Sequence, residues 1–215
     1  MQILMDYQVY LFDFDYTLAN SESAIIKCFR ITLAKHGYPA VDDDTIRRTI
    51  GLSMEDAVSR VSGETEPDRL QWFIREYRKE AALYMTPGTF FYPDSIPTLR
   101  TLQKKGAQTA IVSTKTRDRI AEKFEQDGVT DAIDFIVGRE DVQLPKPDPE
   151  GLLLAIRHFG IEKKQALYIG DSFVDAHAAQ NAGLDFAAVT TGTTTAQDFT
   201  HWPHKRIMKN LSELV

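Results

Sequence analysis

The chain has 215 residues, 43% hydrophobic and 26% charged, enough for the core of one large domain or of a domain carrying an inserted one. Its net charge of −6 argues against a nucleic-acid scaffold or a binder of anionic membranes, so an anionic ligand would have to meet positive charge concentrated locally. A single cysteine, Cys28, excludes an internal disulfide and a thiolate metal cluster, and no apolar run approaches the ~20 residues of a membrane span.

The opening stretch MQILMDYQVYLFDFD lacks the basic, apolar and small-residue regions of a signal peptide, and a cytoplasmic protein is expected. Within it, VYLFDFD reads as a buried strand that ends on two carboxylates, Asp13 and Asp15. From residue 20 to 88 the chain reads as helix after helix. ESAIIKCFRITLAKHG has helical spacing, stops at Gly37 and carries Cys28 on its apolar side, where a buried, inert thiol is expected. DDDTIRRTIG and SMEDAVSRVSG are two shorter helices, each opened by a capping residue and closed by glycine; Asp42 and Asp44 are explained by that capping. EPDRLQWFIREYRKEAALYM is a long amphipathic helix with Pro67 in its first turn, and its Trp72-Phe73 pair reads as core.

Beyond residue 88, the strands QTAIVST, DFIVG, ALYIGD and FAAVTT alternate with helical stretches, and RIM is a weaker sixth run. Several are continuously apolar, as in a parallel sheet covered on both faces. The expected fold is therefore α/β, a doubly wound (Rossmann-like) parallel sheet built from 1–19 and 89–215, with residues 20–88 as a helical insertion.

In such a sheet the C-terminal ends of the strands face one crevice. Asp13 and Asp15 end the first strand, Ser113, Thr114 and Lys115 the second, and Asp171 the ALYIGD strand, with Asp175 four positions further on. Lys146 stands between two prolines before another helix. Each residue alone has an ordinary explanation; in this order, at these strand ends, they read jointly as one site. Four carboxylates gathered there need offsetting charge: a magnesium ion and Lys146 offset three, and a proton on Asp15 the fourth. An all-oxygen site of this kind suits Mg2+.

The set Asp13-x-Asp15-x-Thr17-Leu18, Ser113, Lys146 and GDSFVDA with Asp171 and Asp175 resembles the haloacid dehalogenase superfamily, and TIGLSMEDAV with KPDPEGLLLAI looks most like its phosphoglycolate-phosphatase-type hydrolases. The resemblance implies a helical cap domain over 20–88 and an aspartyl-phosphate mechanism. It makes Asp13 the nucleophile, Asp15 the general acid and base, and Ser113, Thr114 and Lys146 the phosphoryl-binding groups. It makes Asp13, Asp15 (through its backbone carbonyl), Asp171 and Asp175 the metal set. It also puts IRRTIGLSMEDA where a substrate-contacting loop is found, with Arg47 and Arg48 as candidates for a second anionic group. The implied partner is a small phosphorylated metabolite, with no nucleic acid or membrane, for a monomer or homodimer.

Tyr16 departs from the pattern, since glycine is common there; a tyrosine implies an ordinary backbone conformation and a packed ring. The five histidines are too scattered for a zinc site, and TTGTTTAQDF is either a loop near the crevice mouth or the cap of a short helix. No Walker-type loop or dinucleotide fingerprint is present. Alternatives are a sugar-phosphate mutase of the beta-phosphoglucomutase kind, a pyrophosphatase and a dehalogenase of the same superfamily, or a catalytically silent relative. A receiver-type signalling module would share the aspartate, metal, hydroxyl and lysine but not the second aspartate or the inserted helices.

Overall fold

A computed structural model describes residues 7–215; residues 1–6, where the expected core begins, lie outside the described residues. In chain order, β1 (Val9–Phe12) leads into the short β2 (Ala19–Asn20) and then to helices α1 (Glu22–Lys35), α2 (Asp43–Arg47), α3 (Met54–Ser62) and α4 (Pro67–Tyr84). After β3 (Phe90–Phe91) and α5 (Ser95–Lys104), strands and helices alternate: β4 (Gln108–Val112), α6 (Arg117–Gln126), β5 (Phe135–Val137), α7 (Glu150–Phe159) and β6 (Ala166–Gly170). α8 (Phe173–Ala182), β7 (Asp185–Val189), α9 (Ala196–Phe199) and β8 (Arg206–Met208) complete the series. The chain divides into two compact units, one holding the chain up to Ala19 with Phe91–Val215, the other Asn20–Phe90. Among the described residues, no helix is long and apolar enough to cross a membrane.

The first unit is a Rossmann-like α/β fold. Its sheet has the order β5-β4-β1-β6-β7-β8 and is parallel throughout, with Leu11 opposite both Ala110 and Tyr168. Successive side chains of a strand point to opposite faces. Tyr10 and Phe12 therefore join Leu99 and Leu102 of α5 and Ile120 and Phe124 of α6 on one side. Val9 and Leu11 join Leu152 and Ala155 of α7 and Ala178 and Ala179 of α8 on the other. Helices on both faces explain why VYLF is buried at every position. From β1 the chain builds outward through β4 and β5 on one side and through β6, β7 and β8 on the other. The order thus reverses at β1, where such folds open a ligand crevice.

The second unit packs around α1 and α4, where the rings of Phe29 and Tyr77 lie 4.6 Å apart and Cys28 is buried. Asp42 caps α2 by accepting from the Thr45 amide (2.7 Å), and Ser53 caps α3 by accepting from that of Asp56 (3.1 Å). Gly63 closes α3 in the left-handed conformation, with φ of 78°. The sequence leads one to expect α2 to run to Gly51, but it ends at Arg47. The amides of Thr49 and Ile50 turn to the carbonyls three residues back, and the Thr49 hydroxyl also donates to the Ile46 carbonyl, which tightens the chain out of the helix.

Candidate active site

The end of β1 is held on both its backbone and its side chains. The Asp13 amide extends the sheet by donating to the Ile169 carbonyl (2.9 Å), and the Phe14 carbonyl then receives the amides of Leu18 and Ala19. This tight turn swings Thr17 back, so that its hydroxyl donates to Asp171 Oδ1 at 3.1 Å. Tyr16, at the bend, has φ of 60°. This corrects the expected ordinary backbone: the tyrosine is in the left-handed region usually left to glycine, at a cost of about 1–2 kcal/mol. The turn imposes it through the Tyr16 amide donating to Ala19 and the Thr191 hydroxyl donating to the Tyr16 carbonyl. The ring is packed, as expected.

Asp13, Asp171 and Asp175 are all buried and offer carboxylate oxygens within 4.8 Å of one another. Lys146, from the loop before α7, puts its ammonium 2.9 Å from Asp13 Oδ1 and 2.6 Å from Asp175 Oδ1. Asp175 is saturated. Its Oδ1 also accepts from the Tyr168 hydroxyl (2.7 Å), and its Oδ2 accepts from the amide and hydroxyl of Ser172 (3.1 and 2.5 Å), the residue that caps α8. Asp13 Oδ1, by contrast, is buried with the Lys146 ammonium as its partner at 2.9 Å. Asp171 Oδ2 faces the backbone of the β7–α9 loop so closely that a Cβ on Gly192 would lie 1.9 Å from it.

Burial, reinforced by Asp175, pushes the Asp13 carboxyl up to about 6 against the pull of Lys146. Burial, then the neighbouring charges of Asp175 and Asp13, pushes Asp171 well above the carboxylate range. Burial alone would lower the Lys146 pKa, but Asp13 and Asp175 outweigh it and hold the ammonium above the ordinary lysine value. The Tyr168 phenol is pushed up by burial and by Asp175, and stays neutral.

Ser113 follows β4, its amide donating to the Val137 carbonyl (3.0 Å) and its hydroxyl accepting from the Lys115 amide (3.3 Å); the half-buried Thr114 lies between them. Lys115 places its ammonium 2.9 Å from each carboxylate oxygen of Asp15, with both side chains about nine-tenths buried. Lys115 was not counted in the charge reading of the sequence, and it supplies the fourth positive charge assigned there to a proton. Four carboxylates against two ammonium groups leave an excess of two negative charges, the charge of one divalent cation. The clustered carboxylate oxygens, a hard, all-oxygen donor set, fit such an ion.

The structure thus brings Asp13, Asp15, Ser113, Lys146, Asp171 and Asp175 to the strand ends of one unit. Arg48 belongs to the other unit, where it is largely exposed and pairs with Asp44 at 2.7 Å. Arg47 pairs there with Glu22 and Asp44. The sequence places Lys115 at a strand end without a role, and Tyr168 and Gly192 are contributors it does not single out. Tyr168 was visible as a phenol in an apolar run that must find a hydrogen-bond partner. Gly192 was visible as the glycine of TTGTTT, in a loop whose Thr195 does cap α9.

A family model described as haloacid dehalogenase-like hydrolase matches residues 10–189, and the chain belongs to that family. The chain is 49% identical to a solved structure from Bacteroides fragilis described as a haloacid dehalogenase-like hydrolase. The two superpose with a TM-score of 0.95, over 97% of this chain and 100% of that one. It is 31% identical to pyrophosphatase PpaX of Bacillus pumilus, over 95% of this chain and 93% of the relative. It is 33% identical to a phosphoglycolate phosphatase of Rhodobacter capsulatus, over 85% of this chain and 84% of the relative.

Proposed function

We propose that this phosphoric monoester hydrolase is a magnesium-dependent phosphatase of a small phosphorylated metabolite of the phosphoglycolate kind, working through an aspartyl phosphate on Asp13. The observation that carries the reading is the buried Asp13 carboxylate at the end of the central strand, its Oδ1 paired with the Lys146 ammonium at 2.9 Å and its oxygens clustered with those of Asp171 and Asp175. A buried carboxylate crowded by two others is costly in a resting protein and useful as a nucleophile once a phosphoryl group takes over the ammonium.

In the first half-reaction an Asp13 oxygen forms a bond to phosphorus as the bond from phosphorus to the ester oxygen breaks, and Asp15, which takes up a proton from solvent before this step, gives it to the departing alcohol. In the second, a water oxygen attacks phosphorus, the bond to Asp13 breaks, and Asp15 takes the water proton. Lys146, held by Asp175, and the Ser113 hydroxyl bind the phosphoryl oxygens as their charge redistributes. Thr114 contributes to the same cradle.

Asp13 and Asp171, with the Asp15 backbone carbonyl, would hold Mg2+, and Asp175 would support the set by fixing Lys146. When bound, the ion supplies positive charge to the phosphoryl group and lowers the repulsion between the carboxylates. By the family resemblance residues 20–88 are assigned as the cap domain, with Arg48 as the candidate contact to the substrate. The named relatives, a pyrophosphatase and a phosphoglycolate phosphatase, support a small substrate with anionic character.

The test is phosphate release from a panel of phosphorylated metabolites with Mg2+ and with EDTA. Turnover of phosphoglycolate or a similar small ester only with Mg2+ is expected; equal turnover in EDTA overturns the metal assignment, and no turnover of any ester overturns the function.

A further inference from the structure

Lys115 has no part in the reaction described above, yet it occupies both oxygens of the residue that must move the proton. Its ammonium lies 2.9 Å from Asp15 Oδ1 and 2.9 Å from Asp15 Oδ2, and 5.6 Å from the centre of the Phe14 ring. The base of the side chain is fixed, because the Lys115 amide donates to Ser113 Oγ (3.3 Å) and its carbonyl accepts from the Arg139 amide (3.0 Å). The head is carried on a flexible four-carbon stem and can change partner without moving the strand end.

Resting on the phosphatase reading, we propose that Lys115 is a specificity residue that binds a second anionic group on the leaving side of the substrate, exchanging Asp15 for it. An oxygen of Asp15 has to face the ester oxygen, and in the resting arrangement both face the ammonium. A neutral leaving group offers Lys115 nothing in exchange, so the ion pair with Asp15 persists. A leaving group bearing a carboxylate or a second phosphate supplies a replacement anion, and the nearly buried ammonium keeps a partner throughout. The pair is thus a selector for substrates with two anionic groups, built into the same unit as the nucleophile.

The experiment compares kcat/KM for phosphoglycolate and for ethyl phosphate, which differ in the carboxylate, in the magnesium-loaded wild type and in Lys115→Met. The preference for phosphoglycolate should fall by at least ~10-fold in the variant, the worth of one charge-assisted hydrogen bond. Lys115→Arg, which keeps the charge, should retain the preference within about threefold, beyond which a fall is not a charge effect. Lys115→Gln removes the charge while keeping a hydrogen bond to Asp15, and serves if the methionine variant does not fold. A preference unchanged in the charge-removing variant overturns the inference while wild-type turnover keeps the phosphatase reading. A wild type that turns over ethyl phosphate as fast as phosphoglycolate also overturns the inference and leaves the phosphatase reading standing, which falls only if no ester of the metabolite panel is hydrolysed.

Discussion

The hydroxyl of Tyr168 and the carboxylate of Asp175 form a buried hydrogen bond of 2.7 Å, made within one strand–helix turn and one step removed from the chemistry. Tyr168 also receives the Lys146 ammonium at 2.9 Å, so lysine, phenol and carboxylate form a closed triangle. The triangle aims Lys146 at Asp13. In Tyr168→Phe the lysine keeps Asp175 but loses one of its three anchors. A loss of about 0.5–1.5 kcal/mol is expected from a neutral hydrogen bond, or about 2- to 10-fold in kcat. The KM for Mg2+ should stay as it is, and steady-state kinetics across a magnesium titration check both values.

Asp13 and Asp15 should separate cleanly on substitution. Asp13→Asn cannot form an acyl phosphate, and turnover and any burst of alcohol release should both vanish. Asp15→Asn should slow both half-reactions and leave magnesium affinity within about threefold, since only its backbone is assigned to the ion. Rapid-quench kinetics and calorimetric titration with Mg2+ measure the two effects.

The buried carboxylates make the metal-free protein sensitive to pH in a defined direction. Asp13 titrates at about 6 in the folded chain against 3.8 for the ordinary side chain, and Asp171 is displaced the same way. Between those values the folded state holds protons that the unfolded state has released, so stability falls as pH rises through the window. Asp171→Asn removes one such group and keeps an acceptor for Thr17. In EDTA the variant should melt above the wild type, by about 2–4 °C for each kcal/mol relieved, and the gap should widen from pH 4 to pH 7. Added Mg2+ should raise the wild-type midpoint and leave the variant nearly unmoved. Thermal melts at four pH values check it.

Gly192 should be intolerant of even a methyl group. A Cβ there would lie 1.9 Å from Asp171 Oδ2 and 2.8 Å from its Cγ, so either the loop or the carboxylate must shift. Gly192→Ala is expected to raise the KM for Mg2+ by ~10-fold or more, the scale of losses on disturbing the support of a metal ligand. A circular dichroism spectrum that matches the wild type shows that the effect is local.

The parts of the site that could be read from the sequence are those fixed by strand ends. Asp13 and Asp171 follow runs so apolar that their position in a parallel sheet is dictated, and Lys146 is marked by its prolines. What escaped depends on side-chain reach or local backbone shape. Lys115 is one polar residue among several after β4, and only the bend of its long stem brings it to Asp15. Nothing in FDYTL announces that Tyr16 turns left-handed, because that conformation is imposed by Ala19 and Thr191, the latter from the far end of the chain. The premature end of α2 likewise comes from a threonine hydroxyl competing for a helix carbonyl.

The saturation of Asp175 bears on the choice of ion. With both its oxygens spoken for, the protein has few carboxylate atoms left to strip a cation of its hydration shell. A small ion that dehydrates reluctantly and keeps solvent around it is served well by so sparse a set. Calcium, which gathers about six to eight oxygens, would find its inner sphere under-filled by protein and loosely organised. Discrimination between the two alkaline earths would then come from a scarcity of ligands rather than from the size of a cage.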